Sequence, residues 1–136
     1  MLLPSLEVAT RAAHELVDLT STVRTALRDA HVKDAILVVY VPHTTAGITV
    51  QENADPDVRA DLLLALANAV PARAARGTYR HAEGNSDAHV KASLVGSSVT
   101  LVVDEGELVL GTWQGVFLCE FDGPRQRTVH LKVIPG

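Results

Sequence analysis

The sequence predicts an α+β domain: a compact antiparallel β-sandwich core, jelly-roll-like in outline, with two or three short helices. Three observations lead there. Residues 35–41 (Ala-Ile-Leu-Val-Val-Tyr-Val) form an unbroken run rich in β-branched side chains, the pattern of a buried strand. The last third holds two pairs of short apolar runs, folded about Asp104-Glu105-Gly106 and about Asp122-Gly123-Pro124-Arg125. Between these β regions, Asp55-Pro56 sets an aspartate N-cap before a proline at the first helical position. The 136 residues, 47% hydrophobic and 21% charged, suit one domain over residues 1–136 with a sizeable core.

The elements follow in order. Residues 6–10 alternate weakly and predict an edge strand. Thr20 or Ser21 caps a short helix on which Val23, Ala26, Leu27 and Ala30 keep helical spacing. The strand at 35–41 ends at Pro42, and a second strand runs over 46–51. The helix begun at Asp55-Pro56 carries Val58, Leu62, Ala65, Leu66 and Ala69 on one face and ends near Pro71. Residues 72–83 read as an irregular loop. Asn85 or Ser86 caps a third short helix, with His89 near its first turn and His81 in the loop before it. Strands then occupy 98–103 and 107–110, and afterwards 116–121 and 128–134. Aromatic residues are only 4% of the chain, so the core is aliphatic.

Composition excludes several function classes. A net charge of −4 gives no footprint for nucleic acid. No apolar run is long enough to span a bilayer, and the first residues lack the basic flank of a signal peptide. A single cysteine, Cys119, forms no disulfide framework and points to the cytoplasm. Gly-x-Gly-x-x-Gly, Walker, Gly-x-Ser-x-Gly and Cys-x-x-Cys motifs are all missing, which disfavours common nucleotide and serine hydrolases.

The chemistry gathers around three histidines. His43 lies in a polar break after the buried strand, beside Thr44 and Thr45; His81 and His89 share a segment rich in acids and amides. Imidazoles from two segments can supply three metal ligands and leave a position open, or can exchange protons. The spacing of His81 and His89 matches no named metal motif. Glu52 and Asn53, at a strand-to-helix junction, are candidates for acid–base work and ligand contact. Arg80, Lys91, Arg125 and Arg127 are candidate anion binders, each with solvated surface charge as the plainer reading. Cys119 reads as a core residue, and Trp113 as packing or pocket lining. His130 falls on the polar phase of its strand, and His14 and His31 have no clustered partners in the sequence.

Several ungapped blocks together resemble the YjbQ-like family, also called secondary thiamine-phosphate synthase. They are Pro42-His43-Thr44-Thr45-Ala46-Gly47-Ile48, Glu52-Asn53-Ala54-Asp55-Pro56-Asp57-Val58, the stretch from His81 through Ser93, Gly111-Thr112-Trp113-Gln114, and Phe117-Leu118-Cys119-Glu120-Phe121-Asp122-Gly123-Pro124-Arg125. The resemblance implies a β-sandwich assembled as a homotrimer. It also implies a polar site for metal or anion at the histidines, and coupling of hydroxymethylpyrimidine diphosphate to thiazole phosphate with release of pyrophosphate. On that reading His43, His81 and His89 are catalytic and bind a divalent metal, Mg for the synthase reaction or Zn at the histidines. Glu52 joins them as a catalytic group. Thr44, Thr45, Asn53, Asn85, Lys91, Gln114 and Arg125 hold a small phosphorylated substrate. A metal-dependent hydrolase and a non-catalytic trimer that binds a small anion are the competing readings.

Overall fold

The computed structural model describes residues 1–136 and has eight strands and three helices. In chain order they are β1 (Leu6–Ala9), β2 (Glu15–Asp18), α1 (Thr20–Asp29), β3 (Ala35–Tyr40), β4 (Ala46–Glu52), α2 (Pro56–Ala69), α3 (Ser86–Val95), β5 (Ser98–Asp104), β6 (Glu107–Leu108), β7 (Gln114–Glu120) and β8 (Gln126–Pro135). Two antiparallel sheets form, one ordered β1-β8-β3-β5-β6 and the other β2-β7-β4. The predicted α+β class is observed.

Strand alternation builds the core between the sheets. Leu37 and Val39 of β3, Leu101 and Val103 of β5, and Val129, Leu131 and Val133 of β8 point inward. Ile48 of β4 and Val116 and Leu118 of β7 meet them from the other sheet, and α1 adds Val23 and Leu27. The unbroken apolar run at β3 is buried on one face only. Ile36 and Tyr40 are exposed on the other, with Ile36 in register with Val102 and Ile134, both also exposed.

β7 is the strand buried on both faces. Its even positions face the inter-sheet core, and Cys119, together with Phe121 just beyond the strand, packs with Ala88 and Ala92 of α3. Burial pushes the Cys119 thiol up to about 12, so it is an inert packing group rather than a nucleophile.

The helix starts differ in how they are made. Asp55 caps α2 as expected, its carboxylate accepting from the Asp57 N–H at 2.9 Å. α1 follows Leu19, which cannot cap, and Asp18 instead accepts from the Thr20 N–H at 2.9 Å. Asn85 stands at the N-cap of α3 but makes no side-chain cap bond: its Nδ2 donates to Asp122, and its Oδ1 is buried without a partner. The expected buried face of α2 is absent: no residue of that helix is buried in the single chain, and Leu64 is 61% exposed. β2 was not foreseen. Its four residues give too short a pattern to read, and it forms only by pairing along β7.

Candidate functional site

The loops at one end of the sandwich, together with the start of α3, gather most of the polar chemistry. Their foundation is a buried ion pair. Glu120 extends the core-facing phase of β7, and Arg127 lies on the core-facing phase of β8, both almost wholly out of solvent. Arg127 grips both Glu120 oxygens, with Nε donating to Oε1 at 2.8 Å and Nη2 to Oε2. The Thr10 hydroxyl donates to Oε1 at 2.7 Å, and the Asp122 N–H donates to Oε2 at 3.0 Å. Arg127 Nη2 also donates to the Thr45 hydroxyl at 2.8 Å. This network ties the loop ahead of β2, the loop ahead of β4 and the loop ahead of β8 to one point. Burial pushes the Glu120 carboxyl up, but the bonds from Arg127, Thr10 and Asp122 overcome it and hold the carboxyl below its ordinary value.

His43 sits on this foundation. Its Nε2 accepts the Thr128 backbone N–H at 2.9 Å. A backbone amide can only donate, so Nε2 carries the lone pair and the ring proton is on Nδ1. Burial and the nearby Arg127 cation lower the pKa of the ring, which keeps it neutral. His43 then lines a cleft of about 390 Å³ with Thr44, His89, Ser93 and Ser97. His89 and Ser93 lie one turn apart on the same side of α3. His81 packs edge-on against His89, ring centroids 5.4 Å apart, and lies 3.6 Å from Glu83.

The structure thus brings His43, His81, His89 and Thr44 to one region. It does not do so for the other expected site residues. Glu52, Asn53 and Gln114 lie at the far end of β4 and β7. Ala46 pairs with Glu120 and Glu52 pairs with Gln114, six positions on, or about 20 Å along the strand. Thr45 is buried under Arg127. Asn85 donates to Asp122 Oδ2 at 2.8 Å, and Arg125 folds back onto the same oxygen at 3.0 Å. Those bonds outweigh burial and hold the Asp122 carboxyl below its ordinary value. Lys91 is sealed in the core, donating to Asp87 at 2.9 Å. Thr45, Asn85 and Lys91 are therefore spent on internal tethers, while Arg125 is held on Asp122 through Nε and Nη2 with its side chain half exposed.

The expected three-histidine metal set does not fit this geometry. His43 uses Nε2 for Thr128 and must keep a proton on Nδ1, so neither nitrogen is a free donor to a cation. No group of three His, Cys, Asp or Glu side chains is placed to hold a metal ion.

Sequence reasoning missed Ser93, Ser97, His14 and Asp87. Ser93 was legible as one helical turn beyond His89. Ser97 and His14 come to their places only through sheet pairing and loop closure, which leave no local mark.

A two-sheet antiparallel α+β domain with a histidine-lined cleft at its loop end is the class of protein defined by this fold and site. The chain belongs to the UPF0047 protein YjbQ-like family, whose pattern matches residues 4–136. It is 49% identical over 128 residues to UPF0047 protein MJ1081 of Methanocaldococcus jannaschii, covering 94% of this chain and 91% of that one. UPF0047 protein YugU of Bacillus subtilis is 44% identical over 133 residues, covering 98% and 99%. A crystal structure of an uncharacterized YjbQ/UPF0047 protein from Clostridium acetobutylicum superposes with a TM-score of 0.91 at 47% identity, covering 97% of this chain and 100% of that one. These findings overturn the expected thiamine-phosphate synthase reaction. The family and these relatives are described as uncharacterised UPF0047 proteins, and nothing in them supports that activity.

Proposed function

We propose that the protein is an enzyme acting on a small substrate that carries an oxyanion group, phosphate or carboxylate, in the cleft between His43 and His89. The observation that carries this reading is the Thr128 N–H on His43 Nε2. It fixes one tautomer and leaves Nδ1–H as a hydrogen-bond donor that stays neutral without reorganising. Hydroxyls of Thr44 and Ser97 line the same cleft and supply further donors, whereas that of Ser93 donates to the His89 carbonyl at 2.9 Å and presents its oxygen as an acceptor. His89, which lines the same cleft from α3, is the group that would exchange a proton with the substrate.

Titration of orthophosphate into ¹⁵N-labelled protein tests the site. Shift changes are expected at His43, Thr44, His89, Ser93 and Ser97, with affinity falling about ten-fold or more in His43→Ala, the loss of one strong donor to an anion. Changes centred elsewhere, or equal affinity in His43→Ala, would sink the assignment. The pH dependence has a defined sign. The folded ring resists protonation, so its contribution to stability is complete above the ordinary histidine value and is lost as pH falls through its lowered one.

The working form in this proposal is a cytoplasmic homotrimer. No helix of the chain is long and apolar enough to cross a membrane. Two apolar surfaces lack a partner in the single chain: the row Val102–Ile36–Ile134 on the five-stranded sheet, and α2 with its exposed Leu64. Light scattering is expected to give three times the 14.5 kDa chain mass; a monomer would refute this part.

A further inference from the structure

Beyond the cleft, on the side of α3 away from His89, the structure holds a charged pair under a cover. Lys91 and Asp87, one turn apart, are both buried, with Nζ donating to Oδ2 at 2.9 Å. The cover is His14, in the loop of residues 10–14 between β1 and β2. Its Nε2 lies 3.2 Å from Lys91 Nζ and 3.9 Å from Asp87 Oδ2, and its ring packs 6.4 Å from that of Phe121. An ammonium group has no lone pair, so Lys91 donates and His14 Nε2 accepts. This contact exists only while His14 is neutral.

The groups facing His14 are Lys91 and Asp87 from α3 and the apolar ring of Phe121. On its own segment, Glu15 accepts from the Arg11 N–H and is bonded away from the ring. A proton on His14 Nε2 removes the acceptor and sets a second cation against Lys91. Asp87, already bonded to Lys91, is the single counter-charge for both. The side chain of His14 is 39% exposed, so solvent protons reach it, whereas Lys91 is 2% exposed. Thr10 is buried and its N–H bonds the Arg125 carbonyl at 2.8 Å, but residues 11–14 are all exposed, and the backbone bond holding them to the neighbouring loop is Gly123 N–H to the Ala13 carbonyl at 3.1 Å.

We infer that His14 is a proton-operated latch: neutral, it seals the Lys91–Asp87 pair; protonated, it swings out with its loop and uncovers the Lys91 amine and the Asp87 carboxylate. The device is independent of the anion reading of the cleft.

Hydrogen exchange read by NMR tests it, with the Gly123 amide as the reporter. Its protection factor should fall about ten-fold or more between about pH 8 and pH 5, the interval in which histidines gain charge. The Val39 amide of β3 should keep its protection, which separates loop opening from global unfolding. In His14→Gln the amide oxygen accepts from Lys91 at every pH, so the Gly123 change should vanish. In His14→Ala, Gly123 should be poorly protected throughout. A constant Gly123 protection factor in the native protein, or the same pH transition in His14→Gln, overturns the latch.

Discussion

Arg127→Met is expected to cost about 3–5 kcal/mol of stability, because it leaves the Glu120 carboxylate buried without its counter-charge. Glu120 has no route to solvent, and the hydroxyl of Thr10 and the N–H of Asp122 cannot replace a cation. Urea unfolding measures the loss as a fall in midpoint at unchanged slope. The double variant Arg127→Met with Glu120→Leu should recover most of it, since no unpaired charge then remains. If the single variant is as stable as the native chain, the ion pair does not anchor the loops. The acid side follows from the same pair. Glu120 has its folded pKa depressed, so its stabilisation is complete above the ordinary carboxylate range and is lost as pH falls through the folded value. In Arg127→Met the carboxyl loses its largest favourable partner, and this acid sensitivity should shrink.

Gly123→Ala is the second large effect expected. A Cβ at Gly123 would overlap the Ala12 carbonyl oxygen and come within 2.8 Å of Glu120 Cγ and 2.9 Å of Thr10 Oγ1. One of those neighbours is backbone, and the other two belong to the buried network, so none can yield cheaply. The cost should reach the upper end of the roughly 1–3 kcal/mol seen for overpacked sites, or pass it. Gly77→Ala is the comparison for backbone strain without crowding, because nothing lies within 4 Å of its Cβ position but its φ is +73°. Thermal unfolding should separate the two variants clearly; equal midpoints would show that the loop ahead of β8 can relax.

The elements with strong local signals were legible in the sequence. The β-branched run gave β3, the Asp-Pro pair gave α2, and the turn residues separated the late strands. The buried pair was legible too, had strand phase been applied to the charges. Glu120 continues the phase of Val116 and Leu118, and Arg127 precedes Val129, Leu131 and Val133 in step. Reading Arg127 as a solvated cation ignored that alternation. Other parts had no local signature. Glu52 and His43 belong to neighbouring polar blocks of the sequence, yet β4 carries them to opposite ends of the sheet. The role of Lys91 as a buried tether depends on His14, 77 positions away. Such pairings are decided by tertiary closure, which spacing along the chain does not encode.

The position of β8 has a consequence for how the chain is made. It follows every other strand in sequence, yet it lies between β1 and β3, in register with both. A growing chain therefore leaves the ribosome with β1 unpaired and the inner edge of β3 open. It also leaves Glu120 without Arg127, which β8 carries. The sheet and the polar foundation close together in one late, long-range event. Such contacts are slow to form and leave sticky edges exposed until they do. For this protein, stalled or prematurely ended synthesis is a route to aggregation rather than to a smaller folded core.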